Sequence, residues 1–157
     1  FGMLFFMTAL KLKLSLISGA LTLSIMVLPT ILRTTEEALL AVPESYREGS
    51  FGLGAGRLRT VWKIVLPSAL PGIFAGVILA MGRIVGESAA LIYTAGTVAK
   101  VPDSLFSSTR TLAVHMYALS SEGLYIDQTY ATAVVLLLIV VGINALSSRL
   151  AKSITKG

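Results

Sequence analysis

The stretch Glu48-Gly49-Ser50-Phe51-Gly52-Leu53-Gly54-Ala55-Gly56-Arg57-Leu58-Arg59-Thr60-Val61-Trp62-Lys63-Ile64-Val65-Leu66-Pro67 decides how this chain is read. It begins polar and glycine-rich, turns basic, and runs into an apolar segment from Pro71 to Gly96. Two more apolar segments flank it, Leu14 to Leu32 before and Tyr130 to Leu150 after. A bilayer core is crossed by about 20 mostly apolar residues in helical form, and all three segments meet that length. Lipid offers backbone groups no hydrogen-bond partner, so each segment is expected to be a helix. Residues Phe1 to Leu10 read as the end of a fourth span. The expected fold class is an all-α membrane protein with about three full transmembrane helices plus part of a fourth.

Composition supports this. Of the 157 residues, 55% are hydrophobic and 13% charged, more apolar surface than a soluble domain hides in a core. The chain opens at Phe1 inside an apolar run that has neither a basic leader nor a cleavage site, and reads as the C-terminal part of one longer membrane domain covering residues 1–157. Cysteine is absent, which removes disulfides, thiolate metal sites and a cysteine nucleophile. The net charge of +5 lies beside apolar spans instead of interleaving with aromatics, so nucleic acid is not an expected partner.

Cation placement sets the expected topology. Arg33, Arg47, Arg57, Arg59 and Lys63 fall between the first two spans, and Lys152 and Lys156 follow the third, with Arg149 at its border. Only Lys11, Lys13, Lys100 and Arg110 fall on the other side. Basic segments stay cytoplasmic, so the loop at about 33–66 and the C-terminus are expected inside a multi-pass cytoplasmic-membrane protein. Gly72 with Gly76, and Gly82 with Gly86, are four apart on the middle span and suit close helix packing in lipid.

Within the loop, Pro43 fits a first helical turn and Glu44 suits the positive end of the helix dipole. A short helix from Pro43 to about Leu53 is expected to end at Gly54 in a left-handed conformation, followed by a second short helix from Arg57 to Val65. Gly49 and Gly52 each cost about 1 kcal/mol of helix stability relative to alanine, so docking against a partner is expected to hold the first helix. The run Gly52 to Gly56 lacks the lysine and hydroxyl of a P-loop and follows no strand, so ATP is expected to bind elsewhere.

Glu48-Gly49-Ser50, Gly54, Ile64 and Leu66-Pro67 together resemble the EAA loop of MetI-like permease subunits in ATP-driven ABC importers, with Gly49-Ser50 in place of the usual alanines. That resemblance implies a transport subunit, not an enzyme, whose short helix sits in a groove on a nucleotide-binding ATPase subunit. Glu48 would then make the polar contact, Phe51 or Leu53 the apolar anchor and Gly54 the turn. Arg57, Arg59 and Lys63 fit anionic lipid head groups better.

Arg83 and Glu87 are four apart in the middle span, expected on one helix face with Ser88 beside them. Charge inside a membrane is costly and normally faces a bundle interior or a water-filled path. Two readings stay open: the two charges neutralise each other as a packing pair, or Arg83 is a waypoint for an oxyanion whose retention Glu87 limits. Arg83-Ile84-Val85-Gly86-Glu87-Ser88 resembles the Arg-x-x-Gly-Glu segment of oxyanion permeases. With Arg33 to Leu39 and Val42-Pro43, the chain is similar to the PstA family of bacterial phosphate-importer permeases. The resemblance implies phosphate as cargo, a second related permease, two ATPase subunits, an extracytoplasmic phosphate-binding protein and no cofactor. A sulfate or molybdate permease is the near alternative, and a non-transporting membrane scaffold the distant one. His115 stands alone, with no second histidine or carboxylate cluster around it, and is not expected to bind metal.

Overall fold

The computed structural model describes residues 2, 4–6 and 11–155, with the side chains of residues 150 and 152–155 left aside. The described secondary structure is helical. It comprises α1 (Leu16–Leu40), α2 (Glu44–Gly52), α3 (Arg57–Thr60), a π-helical segment (Val61–Val65), α4 (Leu66–Gly86), α5 (Ala89–Ile92), α6 (Leu112–Glu122) and α7 (Ile126–Thr155). Three stretches are long and apolar enough to cross a membrane: Leu16–Leu40, Arg57–Gly86 and Ile126–Arg149. The expected all-α membrane class and three full spans are therefore found. The expected end of a fourth span, residues 1–10, lies largely outside the described residues.

Span boundaries differ from the hydropathy reading in two places. Arg33 to Leu40 continues α1 as helix instead of opening the loop. Hydropathy marks where lipid contact ends, but good helix formers such as Glu36, Glu37, Ala38, Leu39 and Leu40 carry the backbone ladder on, with Arg33 and Glu37 paired at 3.1 Å. The middle helix begins at Arg57, its α, π and α parts forming one 30-residue stretch, and ends at Gly86 instead of Gly96. The second short helix expected at Arg57 to Val65 is thus the foot of that long helix.

The chain forms two compact units, residues 1–27 with 82–143 and residues 28–81 with 144–157. In the first, Leu91, Ala95 and Val114 form a core against Leu23 and Ile92. Gly19 is required there, because a Cβ would stand 2.8 Å from that of Ala95 and 3.0 Å from Leu91 Cδ2. The amide before α1 and the first two within it, which no helical turn satisfies, donate to carbonyls of the later chain: Ser15 N to Thr94 O, Leu16 N to Ser107 O and Ile17 N to Leu105 O, each at 3.0 Å. Thr111 caps α6 through the amide of Val114, and Gly123 closes it in the left-handed conformation.

In the second unit, Val42, Val65 and Ala69 pack with Ala38, Leu39 and Ile73. The small residues read as a packing stripe do this work at Gly72 and Gly76. A Cβ on Gly72 would lie 2.7 Å from Ala38 Cβ, and one on Gly76 would collide with the Thr34 side chain. Gly86 has open space around it.

These contacts generate a paired prediction. Gly76→Ala should destabilise the folded subunit by about 1–3 kcal/mol through overpacking against Thr34, whereas Gly86→Ala should leave it unchanged. Thermal unfolding of the two purified variants in detergent checks the contrast, and equal melting temperatures would contradict it.

Candidate functional site

Between α1 and the long middle helix, the chain makes α2 and a glycine turn. Pro43 is the residue before the helix, with φ −54° and ψ 137°, and Glu44 opens the first turn. Pro43 thus stands one position earlier than expected, where its fixed φ still suits the entry and its missing N–H costs nothing. At the other end Gly54 has φ +78°, the left-handed value expected of it. The amide of Gly54 donates to Phe51 O at 2.9 Å and that of Ala55 to Ser50 O at 3.1 Å. This pair of bonds is the Schellman closure, which satisfies carbonyls the last helical turn leaves free.

Two side chains tie α2 to its surroundings. Arg47 Nη2 donates to Leu39 O at 2.9 Å, placing a cation at the C-terminal end of α1, where the helix dipole favours it. Ser50 Oγ and Thr60 Oγ1 share a hydrogen bond of 2.8 Å, with Ser50 5% and Thr60 1% exposed. Of the six residues named for docking, Ser50 is therefore turned inward. Glu48, Gly49, Phe51, Leu53 and Gly54 are exposed, Leu53 at 91%.

Arg83 and Glu87 are separated by the end of α4. Arg83 lies in its last turn, but residues 87 and 88 are not helical, so the two do not share a helix face. The pairing expected at four-residue spacing does not form: among the described residues the ion pairs are Arg33 with Glu37 and Lys100 with Asp103. Glu87 instead accepts a hydrogen bond from the amide of Ala90 at 3.1 Å, capping α5 with its carboxylate. Its own amide donates to Ile84 O at 3.2 Å, and Ile92 N donates to Ser88 O at 3.0 Å. The structure thus places Glu87 and Ser88 at a helix break and leaves Arg83 exposed, with no carboxylate partner among the described residues.

Sequence reading missed three contributors: Arg47 as a cap of α1, Thr60 as the partner of Ser50, and Glu87 as a cap. Each is signalled only by a polar residue close to a helix end, a pattern shared by many surface positions. His115 lies on α6 with a buried Nδ1 that has no hydrogen-bond partner among the described residues.

A family model described as "Binding-protein-dependent transport system inner membrane component" matches residues 1–157. The chain is 38% identical over 140 residues to "Probable ABC transporter permease protein YqgI" of Bacillus subtilis, covering 81% of this chain and 48% of that protein. It is 35% identical over 158 residues to "Phosphate transport system permease protein PstA homolog" of Mycoplasma pneumoniae, covering 96% of this chain and 24% of that protein. To "Phosphate transport system permease protein PstA 2" of Mycobacterium tuberculosis it is 48% identical over 82 residues, 52% of this chain and 27% of that protein. The chain thus spans half or less of the length of these relatives. No solved structure matches it.

The turn geometry predicts opposite effects of adding a methyl group within this loop. Gly49 has no positive φ and nothing within 4 Å of a Cβ, so Gly49→Ala should stabilise α2 by about 1 kcal/mol. Gly54→Ala should destabilise its C-terminus by about 1–2 kcal/mol, because φ +78° is strained for any L side chain. Hydrogen exchange at the amides of Gly52 to Ala55 reads both, slowing in the first variant and accelerating in the second.

Proposed function

The chain belongs to the family of binding-protein-dependent transport system inner membrane components, and from that premise we propose that it is the permease part of an ATP-driven phosphate importer. One observation carries the coupling role. A closed short helix, α2, stands between two membrane-length helices and presents Glu48, Phe51 and Leu53 bare to a partner. That partner is a nucleotide-binding ATPase subunit, one of two, and the intact assembly includes a second related permease and an extracytoplasmic phosphate-binding protein. Catalysis of ATP hydrolysis belongs to the ATPase subunits. Their closure on ATP moves α2, and the spans reopen on the other face of the membrane by alternating access.

Phosphate as cargo is supported by the relatives named for phosphate transport and by Arg83. Its unpaired guanidinium offers a planar fork of donors that matches two oxygens of a tetrahedral anion. The backbone break at residues 87–88, in a chain that spans lipid, fits a position facing protein or a water-filled path. Glu87 holds that break, and Ser88 adds a hydroxyl next to it. Coupling at Glu48, Gly49, Phe51, Leu53 and Gly54, with Ser50 bracing the helix from within, and passage at Arg83, Glu87 and Ser88 are parts of one proposal.

In the reconstituted full complex, phosphate and not sulfate or molybdate should stimulate ATP hydrolysis. Arg83→Gln should lower uptake roughly 10- to 100-fold with normal assembly, the loss expected of a charge-assisted hydrogen bond. Glu87→Gln retains an acceptor oxygen for Ala90 and should keep most uptake, whereas Glu87→Leu should lose it. Equal loss in both Glu87 variants would show that its charge matters more than its cap. Stimulation by sulfate alone would replace phosphate as the cargo.

Topology follows from the cation bias. Single cysteines at Ser45 and Ser104, both exposed, should label from opposite sides of the membrane, Ser45 only with reagents that enter the cytoplasm. Labelling of both from one side would overturn the proposed orientation.

A further inference from the structure

The foot of the long middle helix carries chemistry that neither coupling nor passage uses. The helix from Arg57 to Gly86 has 30 residues, roughly 45 Å at 1.5 Å per residue, against a hydrocarbon core of about 30 Å. The surplus belongs at the Arg57 end, because from Ile64 to Gly86 the only charged residue is Arg83, whereas Arg57, Arg59 and Lys63 crowd the first seven positions. Those seven residues therefore reach into the head-group layer.

Their exposure is unusual for a segment meant for water. Only Thr60 among residues 57–63 is buried. Leu58 is 77% and Trp62 64% exposed, four apart along the helix, and Val61 lies between them at 47%. Arg59 and Lys63, also four apart, run alongside, and with Arg57 they take part in no ion pair among the described residues. No Asp or Glu occurs from Gly49 to Gly86. Bare apolar side chains interleaved with three unopposed cations complement one environment, the acyl and head-group boundary of an anionic leaflet. There tryptophan settles among the ester groups and basic side chains meet phosphates.

We propose that residues 57–63 form a binding site for anionic phospholipid, and that the bound lipid steadies the coupling helix through the Ser50–Thr60 hydrogen bond. Thr60 is the one inward residue of this segment, and its hydroxyl holds Ser50 of α2 at 2.8 Å while also donating to Gly56 O at 3.2 Å. Lipid held by Arg57, Leu58, Arg59, Trp62 and Lys63 fixes the helix on which Thr60 sits, and Thr60 fixes α2. The content of anionic lipid in the inner leaflet thereby sets how firmly α2 meets its ATPase. This regulatory step rests on the transport reading; the lipid site itself does not.

Trp62 is the only tryptophan of this chain, which supplies the probe. The full importer complex is reconstituted in phosphatidylcholine vesicles containing phosphatidylglycerol, and the Trp62 signal is taken as the difference between wild-type and Trp62→Phe complexes. Brominated phosphatidylglycerol should quench that signal more strongly than brominated phosphatidylcholine at equal mole fraction. Each cation contributes an affinity factor of roughly five, so removing all three charges in Arg57→Gln/Arg59→Gln/Lys63→Gln should abolish the preference. Raised salt should weaken it in the wild type, a reading independent of whether the triple variant folds. Excess inorganic phosphate should leave the preference in place.

Equal quenching by the two lipids would overturn the site, and so would a preference that vanishes when the ATPase subunits are present, because the ATPase would then be the occupant. Competition by inorganic phosphate would likewise overturn a lipid assignment. Phosphate-stimulated ATP hydrolysis should rise with phosphatidylglycerol in the wild type and stay flat in the assembled triple variant; a parallel rise in both would overturn the regulatory link. Preferential quenching without any phosphate-stimulated hydrolysis would defeat the transport reading and leave the lipid site standing.

Discussion

A backbone that crosses lipid must satisfy its own amides and carbonyls, and this requirement organises the described structure from one end to the other. Helix interiors meet it by themselves. Helix ends do not, since several groups at each terminus have no partner within the helix. Each functional element proposed here coincides with such an end. The start of α1 is served by carbonyls of Thr94, Leu105 and Ser107, and its finish by the guanidinium of Arg47 on Leu39 O. The finish of α2 is served by the Gly54 turn, and the start of α5 by the Glu87 carboxylate.

This explains why charge inside the middle span is arranged otherwise than spacing suggests. An Arg and a Glu four residues apart on an unbroken helix would neutralise each other and form a packing pair. Once α4 stops at Gly86, the carboxylate has a more demanding client, the amide of Ala90 at the head of α5. A buried amide without a partner costs about 1–3 kcal/mol and the part-buried amide of Ala90 less, so Glu87 serves the backbone and Arg83 is left without a carboxylate partner among the described residues. An unbalanced cation beside a helix break is a poor packing device. It suits the anion contact proposed for Arg83.

Much of the fold was legible in the residues. Leu14 to Leu32 and Tyr130 to Leu150 are predominantly apolar; α1 begins inside the first at Leu16 and runs past its end to Leu40, and α7 extends beyond both ends of the second. Gly54 announced its left-handed turn because a short amphipathic run ended at it, and φ +78° is what that position needs. Two boundaries escaped. Arg33 to Leu40 is polar in part but intrinsically helical, and hydropathy is blind to that difference. Tyr93 to Gly96 is apolar yet leaves the helix, because Gly96 takes φ +99° where Ser108 crowds any side chain, and the carbonyl of Ala95 is claimed by Thr109 N and Ser108 Oγ. Such partners lie a dozen or more residues away, beyond what a local pattern contains. The hydrogen bond of Ser50 to Thr60, ten residues on, is likewise invisible to a local pattern.

For the proposed coupling role of α2, its weakness in isolation makes its attachments decisive. Nine residues with glycine at positions 49 and 52 and no side-chain cap at Pro43 are too few and too loose to hold a helix in water. Its shape is borrowed through Arg47 from the end of α1 and through Ser50 from the foot of the middle helix. Those two attachments are to different spans. In that role a push on Phe51 and Leu53 would reach a carbonyl in the last turn of α1 through Arg47 and the foot of the middle helix at Thr60 through Ser50, because the Schellman bonds close α2 between the two. A short helix that leans on two hydrogen bonds for its shape has little freedom to rock independently of them, which is what the proposed coupling requires.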